Sequence, residues 1–164
     1  MLIVADAPQI AQASLHALRD LNFVFSRLGS TAFSQYTFTY MTAIDVLTSY
    51  PAAAEEFIRS IAPRQPGQIP QHPLDRTSDL FFLNTAEHFT LAISPKTNDT
   101  VLLTAASPYL ATGGNPRLLP IFEAAHSVML AVFAAPQNIE VASRHLPFYV
   151  DALFKVFITR SDSE

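Results

Sequence analysis

RLLPIFEAAHSVMLAVFAAPQN, from Arg117 to Asn138, is an apolar segment whose interior carries only two titratable side chains, Glu123 and His126. It is announced by Gly113, Gly114, Asn115 and Pro116 and closed by Pro136, residues that free the backbone or remove a donor. Between these stops Leu118, Ile121, Phe122, Ala125, Val128, Met129, Val132 and Phe133 recur at three- and four-residue spacing. That period puts them on one broad helical face, so the segment is a single helix that requires apolar neighbours.

Working outward, the apolar pattern predicts about seven helices, and no stretch alternates with the period of two that a strand needs. The first runs over residues 8–28, with Ile10, Leu15, Leu18, Leu21, Val24, Phe25 and Leu28 on its apolar side and Gly29 as its stop. Ser30 or Thr31 caps the second, which reaches Tyr50 through Phe33, Tyr36, Tyr40, Ile44 and Leu47. Pro51 opens a third to Ala62, with Glu55 and Glu56 in its early turns, where the helix dipole favours acids. The fourth spans residues 75–93, with Leu80, Phe81, Phe82, Leu83, Ala86, Phe89 and Ile93 as core. Asp99 caps a fifth that runs to Thr112 and bends at Pro108. The sixth covers residues 118–134, and the seventh residues 137–157, with a break or kink at Pro147.

The sequence PRQPGQIPQHP, residues 63–73, holds four prolines and a glycine and admits no regular element. It is the principal connector, extending to residue 74. Neither flank can bury its own apolar faces alone, which predicts one helical domain over residues 1–157 and a polar, disordered tail at 158–164. Consecutive amphipathic helices joined by short turns form stacked hairpins. The predicted fold is all-α, either an armadillo- or HEAT-like solenoid or an irregular helical bundle.

The chain has 164 residues, enough for a core without staples, and it has no cysteine. Disulfides, thiolate nucleophiles and thiolate metal sites are therefore excluded, and a reducing compartment is expected. Ten basic against fourteen acidic residues give a net charge of -4 with no basic cluster, which argues against a nucleic-acid partner. Apolar residues make up 49% and charged residues 15%, yet no apolar run reaches the length of a membrane span. The chain's beginning shows no secretory leader, and its end shows neither a prenylation box nor a Ser-Lys-Leu address.

Glu123 and His126 share the Glu-x-x-His spacing of carboxylate-bridged di-iron bundles, but that site needs a second such pair and two further carboxylates. Glu87 and His88 are adjacent and diverge on a helix, so no metal ligand is assigned. The histidines have no Gly-x-Ser-x-Gly elbow to serve, and Thr112–Asn115 lacks the Gly-Lys-Ser/Thr ending of a phosphate loop. Neither catalytic nor cofactor-binding residues are assigned. The remaining signal is aromatic: thirteen phenylalanines and five tyrosines, most of them core. Where a stack leaves an outer face uncovered, aromatics mark a binding surface, and Tyr36, Tyr40, Phe148, Tyr149 and Phe154 are the candidates for partner contact.

Five strings carry a resemblance: IPQHPLD at 69–75, LFFLNTAEHF at 80–89, LPIFEAAHS at 119–127, AAPQN at 134–138 and HLPFYV at 145–150. Together they resemble the peroxin-8 (peroxisome biogenesis factor 8) family of filamentous fungi, over about residues 17–157. The resemblance implies a non-catalytic scaffold on the matrix side of the peroxisome, peripheral to the membrane. Such a scaffold links the docking and RING ubiquitin-ligase parts of the matrix-protein import machinery. Family members are longer helical-repeat chains that end in a peroxisomal targeting signal. This chain instead turns polar from Ile158 to Glu164, which suggests a fragment or a shortened product. No individual binding residue carries over. The residues alone leave a second reading open, a small helical enzyme or ligand carrier with a pocket around Glu123, His126 and His88.

Overall fold

A computed structural model describes the backbone of residues 6–28 and 34–161 and the side chains of residues 6–24 and 34–155. Seven helical units follow in order: α1 (Ala7–Leu28), α2 (Ser34–Thr48), α3 (Pro51–Ile61), α4 (Pro73–Ala86), α5 (residues 95–109), α6 (Leu119–Ala134) and α7 (Ile139–Ser161). No strand occurs among the described residues. The expected cap and stop residues of the α1–α2 turn, Gly29 to Thr31, and the expected core residue Phe33 lie outside the described residues, as do the side chains of Phe25 and Leu28.

Helix α4 is the axle. It packs against α1, α3, α5 and α6, and it buries the consecutive residues Phe81, Phe82 and Leu83. Three buried neighbours in a row cannot share one face, so this helix is enclosed on most of its circumference. α1 pairs chiefly with α2, and α6 packs against α5 and α7 as well as α4. One continuous apolar cluster runs from Ala11 on α1 to Ala152 on α7. In α6, Ile121, Ala125, Val128, Met129 and Val132 are buried, as their spacing predicts, while Leu118, Phe122 and Phe133 are half-buried.

Several boundaries differ from the sequence expectation, and each difference has a local cause. α4 starts at Pro73, because the His72 ring accepts a hydrogen bond from the Leu74 amide at 3.2 Å and caps the helix. It does not run to Ile93; it tightens into a 3-10 turn at Glu87–Phe89. The Thr90 carbonyl is taken by the side-chain amides of Asn98 and Gln137, both at 2.9 Å, which leads the chain out of the helix. Ser94, not Asp99, caps α5: its hydroxyl accepts from the Thr97 amide at 3.3 Å, and Pro95 occupies the first turn. Asp99 is instead held by Arg144 and His145 of α7.

α5 is composite. A short α-turn at Pro95–Thr97 passes into a π-helical stretch at Asn98–Leu103, an α-turn at Thr104–Ala106 and a 3-10 turn at Ser107–Tyr109. Pro108 therefore ends this unit rather than bending its middle. The Ser107 hydroxyl donates to the Thr104 carbonyl at 3.2 Å, replacing the bond that the proline nitrogen cannot make. α7 continues through Pro147 without a break and past Phe157 to Ser161, so residues 158–161 are helical. α6 and residues 136–155 meet at 89°.

On α1 the inward face centres on Ala11 and Leu15, whereas Ile10 and Leu21, expected in the core, are exposed. The connector occupies residues 62–72, ending earlier than expected because Pro73 already belongs to α4. Gly67 takes φ +77 there, a left-handed conformation that favours glycine.

Candidate interaction surface

The five aromatic candidates fall on two helices and on opposite faces of one of them. On α2, Tyr36 stacks on Tyr40 with ring centroids 6.1 Å apart. The Tyr40 ring meets Phe81 edge-on, and its hydroxyl is 3.0 Å from the Thr85 hydroxyl. Burial raises the pKa of both tyrosines. Tyr36 and Tyr40 are half-buried side chains, and Tyr40 ties α2 to the core.

On α7, Phe148 and Phe154 are exposed, but Tyr149 is buried and leaves the candidate surface. A step of one residue turns a helical side chain by about 100°, which carries Tyr149 from the outward to the inward face. Its hydroxyl lies 2.9 Å from His126 Nδ1, and His126 Nε2 lies 3.3 Å from the Leu110 carbonyl. A carbonyl can only accept, so the neutral ring carries its proton on Nε2, and Nδ1 accepts from the tyrosine. Burial lowers the His126 pKa, countered in part by the Leu110 carbonyl. His126 thus clamps α6, α7 and the end of α5 together.

With both ring nitrogens of His126 occupied and Glu123 exposed, the Glu-x-x-His pair does not converge on a ligand site. Glu87, the neighbouring acid, accepts from the Ser127 hydroxyl and lies 3.6 Å from His88. Among the described residues no group of three histidine or carboxylate side chains is placed to hold a metal. Three recesses among the described residues are lined by other side chains, and Glu123, His126 and His88 line none of these three.

The recess nearest the aromatic candidates is a groove of about 390 Å³ between α5 and α7. Leu103, Thr104 and Ser107 form one wall, Met129 the floor, and His145 and Phe148 the other wall. Asp99 closes it, accepting from Arg144 at 2.8 Å and meeting the His145 ring at 2.7 Å. Phe148 is thus an exposed ring at the lip of a concave, largely apolar surface. Sequence reasoning missed Ile139, Leu146 and Val150, which are exposed on the side of α7 opposite Phe148. The signal was present as their seven- and four-residue spacing with Phe154.

A second set of side chains, centred on Glu55, also escaped the sequence. Its carboxylate accepts from Arg59 at 3.0 Å, from the Ser94 hydroxyl at 3.0 Å and from the Thr97 hydroxyl. The Thr97 bond foremost, with Arg59 and Ser94, pulls its pKa down to about 2. This hub locks α3 to the start of α5 and offers no free ligand position.

Residues 54–134, from α3 through α6, match a family model described as the PEX8 central TPR-like domain. The matched stretch is just under half of the chain, and there the chain is similar to that family's central domain. The chain is also 30% identical to "Peroxisomal membrane protein PEX17" of Yarrowia lipolytica, over 91% of this chain and 24% of that protein. It is 28% identical to "Peroxisomal biogenesis factor 8" of Pichia angusta, over 78% of this chain and 20% of that protein. The chain therefore spans about a quarter or less of the curated relatives it matches. No solved structure matches. The TPR-like assignment agrees with an all-helical, solenoid-like stack. Among the described residues no single helix is long and apolar enough to cross a membrane.

Proposed function

We infer that this chain is a non-catalytic helical scaffold of peroxisome biogenesis, acting in the import of peroxisomal matrix proteins. The observation that carries the reading is the match of residues 54–134 to the PEX8 central domain, together with the similarity to two yeast peroxins. The geometry supports it, because His126 and Glu55 spend their polar atoms on helix-to-helix bonds and no chemical constellation is built around them. In this role the chain works at the peroxisome, on the matrix side and peripheral to the membrane. There it links the docking and RING subcomplexes of the import machinery. Partner contact falls to Phe148 at the lip of the α5–α7 groove, with the half-buried Tyr36 and Tyr40 as a second aromatic surface. Exposed aromatics beside a concave apolar wall are the usual anchors of such contacts.

The test is fractionation of cells carrying the tagged chain, followed by purification from solubilised organelle membranes. Co-purification with import-complex subunits, weakened by Phe148→Ala, is the expected result. Recovery of the chain only in the soluble cytosol, with no import subunit attached, contradicts the assignment.

A further inference from the structure

Helix α7 presents three strips along its length. Val141, His145, Tyr149 and Ala152 turn toward the body of the protein, and all but the half-buried His145 are buried. Ile139, Leu146, Val150 and Phe154 form an outward apolar stripe, 71%, 49%, 39% and 63% exposed, on about four turns of helix. Glu140, Arg144, Asp151 and Lys155 form a charged ridge, all of them exposed. At 3.6 residues per turn the ridge borders the stripe on one side only, and the body of the protein borders it on the other.

The order of charges along the ridge selects the occupant. Read forward it is acid, base, acid, base; read backward it is base, acid, base, acid. An antiparallel copy of the same helix therefore sets Glu140 opposite Lys155 and Arg144 opposite Asp151, and symmetry repeats both pairs. Self-complementarity under reversal is the property that a two-fold, isologous contact requires. A lipid surface has no use for it, since the ridge carries as many acids as bases and offers anionic headgroups no net attraction. Among the described residues, the exposed apolar residues of α1, Ile10, Leu21 and Phe23, have no comparable ridge beside them.

We propose that α7 pairs antiparallel with α7 of a second copy of this chain, about a two-fold axis beside Leu146 and Val150. The apolar stripe supplies the affinity. The ridge sets register and direction, because exposed ion pairs contribute little energy but penalise like-charge alignments. Within one copy Arg144 already reaches Asp99 and Lys155 reaches Asp151. Each base is more than half exposed, so a carboxylate from across the axis can approach it beside its present partner.

Sedimentation equilibrium and light scattering on the 164-residue chain test this directly. A dimer is expected, converted to a monomer by Leu146→Glu or Phe154→Glu with unchanged helical circular dichroism. Glu140→Lys weakens the dimer, and the exchange Glu140→Lys with Lys155→Glu restores it. The restored charge pair keeps the proposal testable if a stripe substitution fails to fold. A monomer at every concentration overturns the pairing. So does a dimer indifferent to these substitutions, or a stripe that becomes protected only on liposomes.

Discussion

The Tyr109 hydroxyl donates to the Asp79 carboxylate at 2.6 Å, joining α5 to α4 between two buried side chains. Burial raises the Asp79 pKa above its ordinary 3.8, and the tyrosine bond opposes that rise. A carboxyl group with a raised folded pKa favours the folded state at low pH and loses that contribution as pH climbs through the folded pKa. Tyr109→Phe removes the donor and leaves the ionised carboxylate without it. The variant is expected to be less stable by about 1–3 kcal/mol at neutral pH, with the deficit shrinking as Asp79 protonates. Urea denaturation across the acid range checks this, and a deficit that is constant with pH contradicts the assignment.

Glu55 behaves in the opposite sense. Its folded pKa of about 2 lies below the ordinary 4.5, so its contribution is complete above 4.5 and disappears as pH falls toward 2. Glu55→Gln is expected to flatten that part of the stability curve while leaving its shape at neutral pH intact. Thermal melts at a series of acid pH values read this out, and an unchanged acid limb counts against the hub.

Much of this architecture is legible in the residues, and the parts that are not share one cause. α6 is readable because glycine, asparagine and proline bracket an apolar run, a local signal that owes nothing to the rest of the chain. The start of α5 is not readable. Ser94 and Asp99 are equally good caps by residue type, and only the distant Arg144 and His145 draw Asp99 away. The exit of α4 depends likewise on Asn98 and Gln137 reaching the Thr90 carbonyl. The candidate surface fails in the same way at Tyr149. An apolar helix shows in its sequence that it has faces, but not which of them a neighbour covers.

His126 makes a third pH window. Its folded pKa lies below the ordinary 6.5, so the unfolded chain takes up a proton first as pH falls, and stability declines from 6.5 downward. His126→Gln keeps a donor and an acceptor near Leu110 and Tyr149 without titrating. Stability at neutral pH is expected within about 1 kcal/mol of the parent, and the slope just below 6.5 disappears. An identical slope in the variant would place the titration on another group.

Pro147 is an exposed proline inside α7, where it deprives the Ser143 carbonyl of the amide four residues later. Pro147→Ala restores the amide, removes the ring's clash with the preceding turn and sacrifices no buried surface. The expected outcome is a gain of roughly 1 kcal/mol, short of the full penalty of a helix-interior proline, because α7 runs on through Pro147 without a break. The melting temperature should rise, and the backbone amides of the following turn should become more protected from hydrogen exchange. A lower melting temperature with undiminished helix content would show instead that the proline at position 147 helps to seat Tyr149 and Ala152 against the core.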